Sequence, residues 1–192
     1  MAQVNRIPIA QFFQDFWQEG VDTYKELQDY YQSLPNIDTA IREACFFHNK
    51  KDKLEPHQYR IRKIAKQAFF ENVSKIKKAI LKCQDFKGLH DLLEKCKPKY
   101  LGPLAIYDAA LRLGIFLQKQ NPNCNFEPQE VYLHRGTEEG AKKLMKLRVL
   151  SFSKAKIRPV SDFSWLCPQR ANDSKFALLV ENFLCVKKSL FR

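Results

Sequence analysis

Asp108 and Arg112 are the only charged side chains in the apolar run from Leu104 to Leu117. They stand four residues apart with the acid first, the order that favours an ion pair within a helix. An ionised pair inside a core is costly unless it is fully hydrogen-bonded. Two readings follow. The pair anchors a neighbouring loop, or Asp108 moves a proton while Arg112 or Arg135 holds a phosphate. His134, next to Arg135, is the second candidate for proton transfer. Tyr100, Tyr107 and Tyr132 either pack in the core or stack on an unpaired base. Lys75, Lys78, Lys82, Lys99, Gly102, Arg112 and Arg135 are the candidate phosphate contacts. The six cysteines are scattered and form no C-x-x-C pair, and no histidine has a partner at metal spacing. Neither a metal nor any other cofactor is therefore expected.

The charge balance agrees with an acidic partner. The 192-residue chain carries a net charge of +12, unevenly spread. Residues 1–40 sum to −4, residues 41–100 to +9 and the remainder to +7. A basic excess of this kind suits nucleic acid or an anionic surface. No window approaches the ~20 apolar residues of a membrane span, so no membrane association is expected. No secretory leader is read at the N-terminus, and free thiols suit a cytoplasmic location. Hydrophobic residues make up 45% of the chain, which is enough for a real core.

The elements that must position these residues read as helices throughout. Residues 8–33 form one or two helices, with Pro8 near a helix start and Gly20 as a break. Phe12, Phe13, Phe16, Trp17, Tyr24, Tyr30 and Tyr31 make this stretch aromatic, and five acids make it negative. It is read as an arm over residues 1–35, docked on the domain or binding a protein partner through residues 8–33. Residues 36–192 then form a single helical domain. Asp38 caps a helix to about Phe47, a solvated loop covers 49–53, and Glu55-Pro56 opens the next helix. There Ile61, Ile64, Ala65, Ala68 and Phe69 repeat at helical spacing, with Arg60, Arg62, Lys63 and Lys66 on other faces. A further basic helix holds Val73, Ile76, Ala79 and Ile80 inward, and a short one covers 89–96. Gly102 supplies a positive φ for a tight turn, and Pro103 begins a core helix. Thr137 caps a helix to Lys146, and Asp173 or Ser174 caps the last one. The alternation of half-buried strands is nearly absent, so the fold class is all-α.

Two helices joined at Lys99-Tyr100-Leu101-Gly102-Pro103 resemble the helix-hairpin-helix motif, whose pattern is apolar-x-Gly-apolar-Gly. Leu101-Gly102 matches its second half, and its first glycine falls on Tyr100. The order of elements over residues 58–147 resembles the helix-hairpin-helix DNA glycosylases. Val131-Tyr132-Leu133-His134-Arg135-Gly136 stands where that family carries Val-Asp-Thr-His-Val-x-Arg. The resemblance implies a glycosylase-like helical domain, with hairpin N–H groups and basic helices on DNA phosphates. The family's catalytic aspartate falls on Tyr132 and its lyase lysine on Leu104. The four clustered cysteines of its iron–sulfur subgroup have only Cys167 and Cys185 as counterparts. A DNA-binding, repair-like scaffold is therefore implied, and base excision is not supported at those positions. Arg135-Gly136-Thr137 followed by Ser151-Phe152-Ser153 also resembles the strand-borne Arg and Ser of ADP-ribosyltransferases, without their Glu-x-Glu. Two function classes thus stand: a DNA-binding protein, or a non-enzymatic protein-interaction module using the aromatic arm. Asp108 needs a donor, and residues 134–137 are expected to pack against it and supply one.

Overall fold

The computed structural model describes residues 2–49 and 56–191, with side chains at 7–49 and 58–191. The solvated loop and helix-opening Glu55 expected between 50 and 55, and the side chains of Arg6 and His57, lie outside the described residues. The elements are α1 (Ala2–Ser33), α2 (Ile37–Phe46), α3 (Lys63–Lys75), α4 (Lys77–Ile80), α5 (Phe86–Glu94), α6 (Pro103–Gln120), β1 (Glu130–Tyr132), α7 (Arg135–Lys146), β2 (Ile157–Pro159) and α8 (Phe176–Val186). The protein is mostly helical, and the all-α expectation is corrected by one antiparallel pair. In that pair Glu130 faces Pro159, Val131 faces Arg158 and Tyr132 faces Ile157. Tyr24–Glu127 forms one compact unit, and the residues up to Thr23 with those from Pro128 onward form another.

In the Tyr24–Glu127 unit, α6 is the central element. Every residue from Ala105 to Leu117 is buried. It packs on α2 and α5, while α3 lies against α2. Asn36, not Asp38, caps α2, accepting the Thr39 N–H at 2.9 Å. Asp38 instead pairs with Lys77. Asp85 caps α5 through the Gly88 N–H at 2.7 Å. The second half of α1 is tied to the end of α2: Tyr30 Oη donates to Glu43 and Tyr31 Oη to the His48 carbonyl. A cavity of about 210 Å³ between Tyr24, Gln28, Gln118 and Glu127 holds none of the nominated residues. The Gln118 amide there is committed to the carbonyls of Pro122 and Cys124 and to the Phe126 N–H.

In the other unit, the first half of α1 is part of the core. Phe13 meets Phe176 and Phe183 edge-on at 5.6 and 5.2 Å, and Phe16 and Trp17 are buried with them. Of the aromatic residues that suggested a partner-binding arm, Phe13, Phe16, Trp17, Tyr24 and Tyr31 are buried, Tyr30 is half-buried and Phe12 is exposed. Neither Pro8 nor Gly20 ends α1. Gly20 is there for closeness: a Cβ would stand 2.7 Å from Leu179 Cδ2 on α8. Buried Arg158 organises the stretch after α7. Its Nε donates to Asp162 at 2.6 Å, and its other nitrogens reach the Ser151 carbonyl and Oγ.

His134, not Thr137, is the N-cap of α7, and Thr137 Oγ1 donates to the His134 carbonyl at 3.0 Å. Hydrogen bonds from Lys142 and Lys156 hold the Glu138 carboxyl down from its ordinary 4.5 to about 2. A carboxyl depressed on folding stabilises the fold above its unfolded value, and that stabilisation is lost as pH falls through the folded value. The Glu138 contribution is therefore full above about pH 4.5 and gone below about pH 2. An NMR titration of the side-chain carboxyl should place its midpoint near 2; an ordinary midpoint would dissolve the two lysine contacts.

Candidate nucleic-acid interface

The turn before α6 forms by a chain of short-range bonds. The Leu101 N–H reaches the Pro98 carbonyl at 3.3 Å, and the Ala105 N–H reaches the Gly102 carbonyl at 3.1 Å. Gly102 does not take the positive φ expected of it; it is extended, with φ −83° and ψ 163°. Tyr100 takes it instead, at φ 73°. That left-handed conformation is uncommon for a residue carrying a side chain and places Tyr100 at the apex of the turn.

Around this apex the unit gathers cations. Arg62, the N-cap of α3, has its guanidinium carbon 5.8 Å from the Tyr100 ring centroid, and Lys99 Nζ is 5.2 Å from it. Asn72 of α3 donates to the Cys96 carbonyl at 3.1 Å, fixing α3 against the segment that leads into the turn. Arg60, Lys63, Lys95 and Gly102 are exposed on the same two segments. Residues 58–70 and 95–107 together carry seven bases and no acid; of these Lys66 is buried and Lys97 pairs with Glu94, just before the second stretch. Three large side chains on these segments are exposed, Tyr59, Ile64 and Tyr100, and Tyr100 is the one with cations against its ring. Ile64 was expected inward by its spacing, but it lies in the first turn of α3 and projects outward. Lys66 was expected outward and is buried, over the Phe47 ring at 5.6 Å, where burial pulls its ammonium pKa down.

The other nominated residues separate cleanly. Lys75, Lys78 and Lys82 are exposed from the end of α3 to just beyond α4, as surface lysines should be. Arg112 is 3% exposed inside α6, so it cannot hold a phosphate. Tyr132 is 4% exposed on β1 and Tyr107 is buried in α6, so neither offers a stacking face. Arg135 is exposed at the first turn of α7, with Glu139 at 3.8 Å. That position is helical, and residues 151–156 form no strand, so the likeness to ADP-ribosyltransferases has no strand pair behind it. Asp108 and Arg112 belong to the Tyr24–Glu127 unit, and His134 and Arg135 to the other. Within its own unit, Asp108 receives the Gln58 side-chain amide, a donor the sequence reading did not select. Tyr59 and Gln58 were both missed; the acid-free run around them was the available signal.

No family model, no curated protein and no solved structure matches this chain.

Proposed function

We propose that this protein binds nucleic acid, with DNA as the first candidate, through the turn before α6 and the basic start of α3. The observation that carries this reading is Tyr100, held at the apex of the turn with Arg62 and Lys99 against its ring. Simple solvation of surface lysines does not require this arrangement. Arg62 and Lys63 open α3, where positive charge opposes the helix dipole by about 0.3–1 kcal/mol each. A phosphate against that end reverses the sign. The exposed Lys75, Lys78 and Lys82 extend the positive surface along α3 and α4. The likeness to helix-hairpin-helix glycosylases supports a repair-like DNA-binding scaffold on the same turn. The reading assigns no catalytic residue: Asp108 is committed to a buried cluster, and Tyr132 stands at the family's carboxylate position.

Charge reversal tests this. In the folded full chain, the combined Arg62→Glu, Lys63→Glu and Lys99→Glu variant should lose nearly all affinity for a DNA oligonucleotide at about 0.1 M salt. Neutralised phosphate contacts also flatten the dependence of log K on log salt, here by about 2 to 3 for three contacts. Lys75→Glu, Lys78→Glu and Lys82→Glu together should weaken binding as well. Lys77 is left intact because it pairs with Asp38. Wild-type affinity in both variants would reduce these lysines and arginines to solvated faces.

A further inference from the structure

The geometry points to unpaired strands as the ligand: we propose that Tyr59 and Tyr100 stack on the bases of single-stranded nucleic acid, with Ile64 as an apolar contact, while Arg62 and Lys99 hold its phosphates. This rests on the nucleic-acid reading above and narrows it to one class of substrate. Tyr59 is 66% exposed, Ile64 77% and Tyr100 72%. Large apolar side chains this open contribute little to the core, so packing does not explain their placement. They sit on two segments joined by the Arg62–Tyr100 contact and the Asn72–Cys96 hydrogen bond. Apolar surface and cations therefore occur side by side.

A duplex cannot use such a surface. Its base faces are already stacked on one another, and it offers a protein only groove edges and phosphates. Rings set among cations would stay wet against it. An unpaired strand presents both parts at once, a flat face and a charge on every nucleotide. Magnitudes favour the exchange at Tyr100. Each cation there, 5–6 Å from the ring centroid, gains about 0.5–1 kcal/mol from an exposed ring. A stacked base gains about 1–3 kcal/mol. The base thus displaces a long, flexible cation from the ring, and that cation moves onto the adjoining phosphate. Sugar identity plays no part in this geometry, so DNA and RNA strands both fit it.

Fluorescence anisotropy on the full chain tests this with labelled oligo(dT) and oligo(U) of about 12 nucleotides, within the usual site size. A blunt hairpin duplex and phosphatidylserine–phosphatidylcholine vesicles complete the panel. Wild type should bind either single strand roughly tenfold or more tighter than the duplex. Tyr100→Leu should lose roughly 5- to 150-fold on the single strands, with an unchanged salt slope and little change on the duplex. Tyr100→Phe keeps the ring and should keep the affinity. If Tyr100→Leu destabilises the turn, Tyr59→Leu, outside it, gives the same comparison. Duplex binding as tight as single-strand binding, or wild-type affinity in Tyr100→Leu and Tyr59→Leu, would overturn the stacking proposal and leave phosphate binding standing. No binding to any oligonucleotide, with or without vesicle binding, would defeat both readings.

Discussion

Gly140→Ala is expected to unfold the packing of α7 on α8 at a cost of at least about 3 kcal/mol. A Cβ at this position would overlap the Leu184 carbonyl oxygen and stand 3.0 Å from the Leu184 carbonyl carbon. Overpacking against a side chain is relieved by a rotamer change and costs about 1–3 kcal/mol. Here the obstacle is main chain, and Leu184 can yield only if α8 moves. Phe176, Leu179, Val180 and Phe183 are buried on that helix, so its movement opens the core of the unit. Alanine's better helix propensity returns only about 1 kcal/mol. Gly136, one turn earlier, faces the same helix, with a would-be Cβ 2.6 Å from Cys185 Sγ. The two glycines are therefore a surface for close helix approach. In a unit of this size the melting temperature should fall by roughly 10 °C or more. Gly102→Ala is the control: no heavy atom lies within 4 Å of its would-be Cβ, so the change should stay within about 1 kcal/mol. Thermal melts followed by near-UV circular dichroism read both. A Gly140→Ala melt within a few degrees of wild type would mean that the helices stand further apart than described.

The parts of this fold written in local signals were legible. The apolar run from Leu104 to Leu117 was readable as a core helix because its periodicity is unbroken and Gly-Pro and Asn-Pro stand at its ends. The parts decided by distant contacts were not. Gly20 reads locally as a breaker, yet α1 runs on through it, and Leu179 occupies the space a side chain there would fill. The strands β1 and β2 are three residues each, too short to show alternation, and their pairing spans 25 residues or more. The same division runs through the site. Lysines at 75, 78, 82 and 99 were identified because lysine rarely leaves the surface. Tyrosine is ambiguous: composition cannot tell Tyr132, in the core, from Tyr100, at the tip of a turn. Ile64 satisfies the helical repeat and still projects outward, because it shares a face of α3 with exposed Gln67 and Glu71, while Ala65, Phe69 and Val73 take the buried face.

Asp108→Leu is expected to cost about 3–5 kcal/mol, far more than the loss of its own contacts. The carboxylate accepts from the Gln58 amide and lies 3.9 Å from Arg112 NH1, which also donates to the Asp108 carbonyl at 3.1 Å. Removing the acid takes a carboxylate away from beside the buried Arg112 guanidinium. Arg112→Met should be costly for the mirror reason, since Asp108 keeps the Gln58 amide and loses the cation. Gln58→Leu removes one neutral donor and should cost about 1–3 kcal/mol. The decisive variant is Asp108→Leu with Arg112→Met. A buried pair exchanged as a whole for apolar groups is often neutral, so most of the stability should return. Urea unfolding of the four proteins closes the cycle, with a coupling of several kcal/mol expected. Additive single effects would show that each charge is compensated separately and that the pair is not a unit. The double variant also separates structure from chemistry. If it folds and keeps its affinity for oligonucleotides, Asp108 and Arg112 serve the core of α6, and binding belongs to the exposed turn around Tyr100.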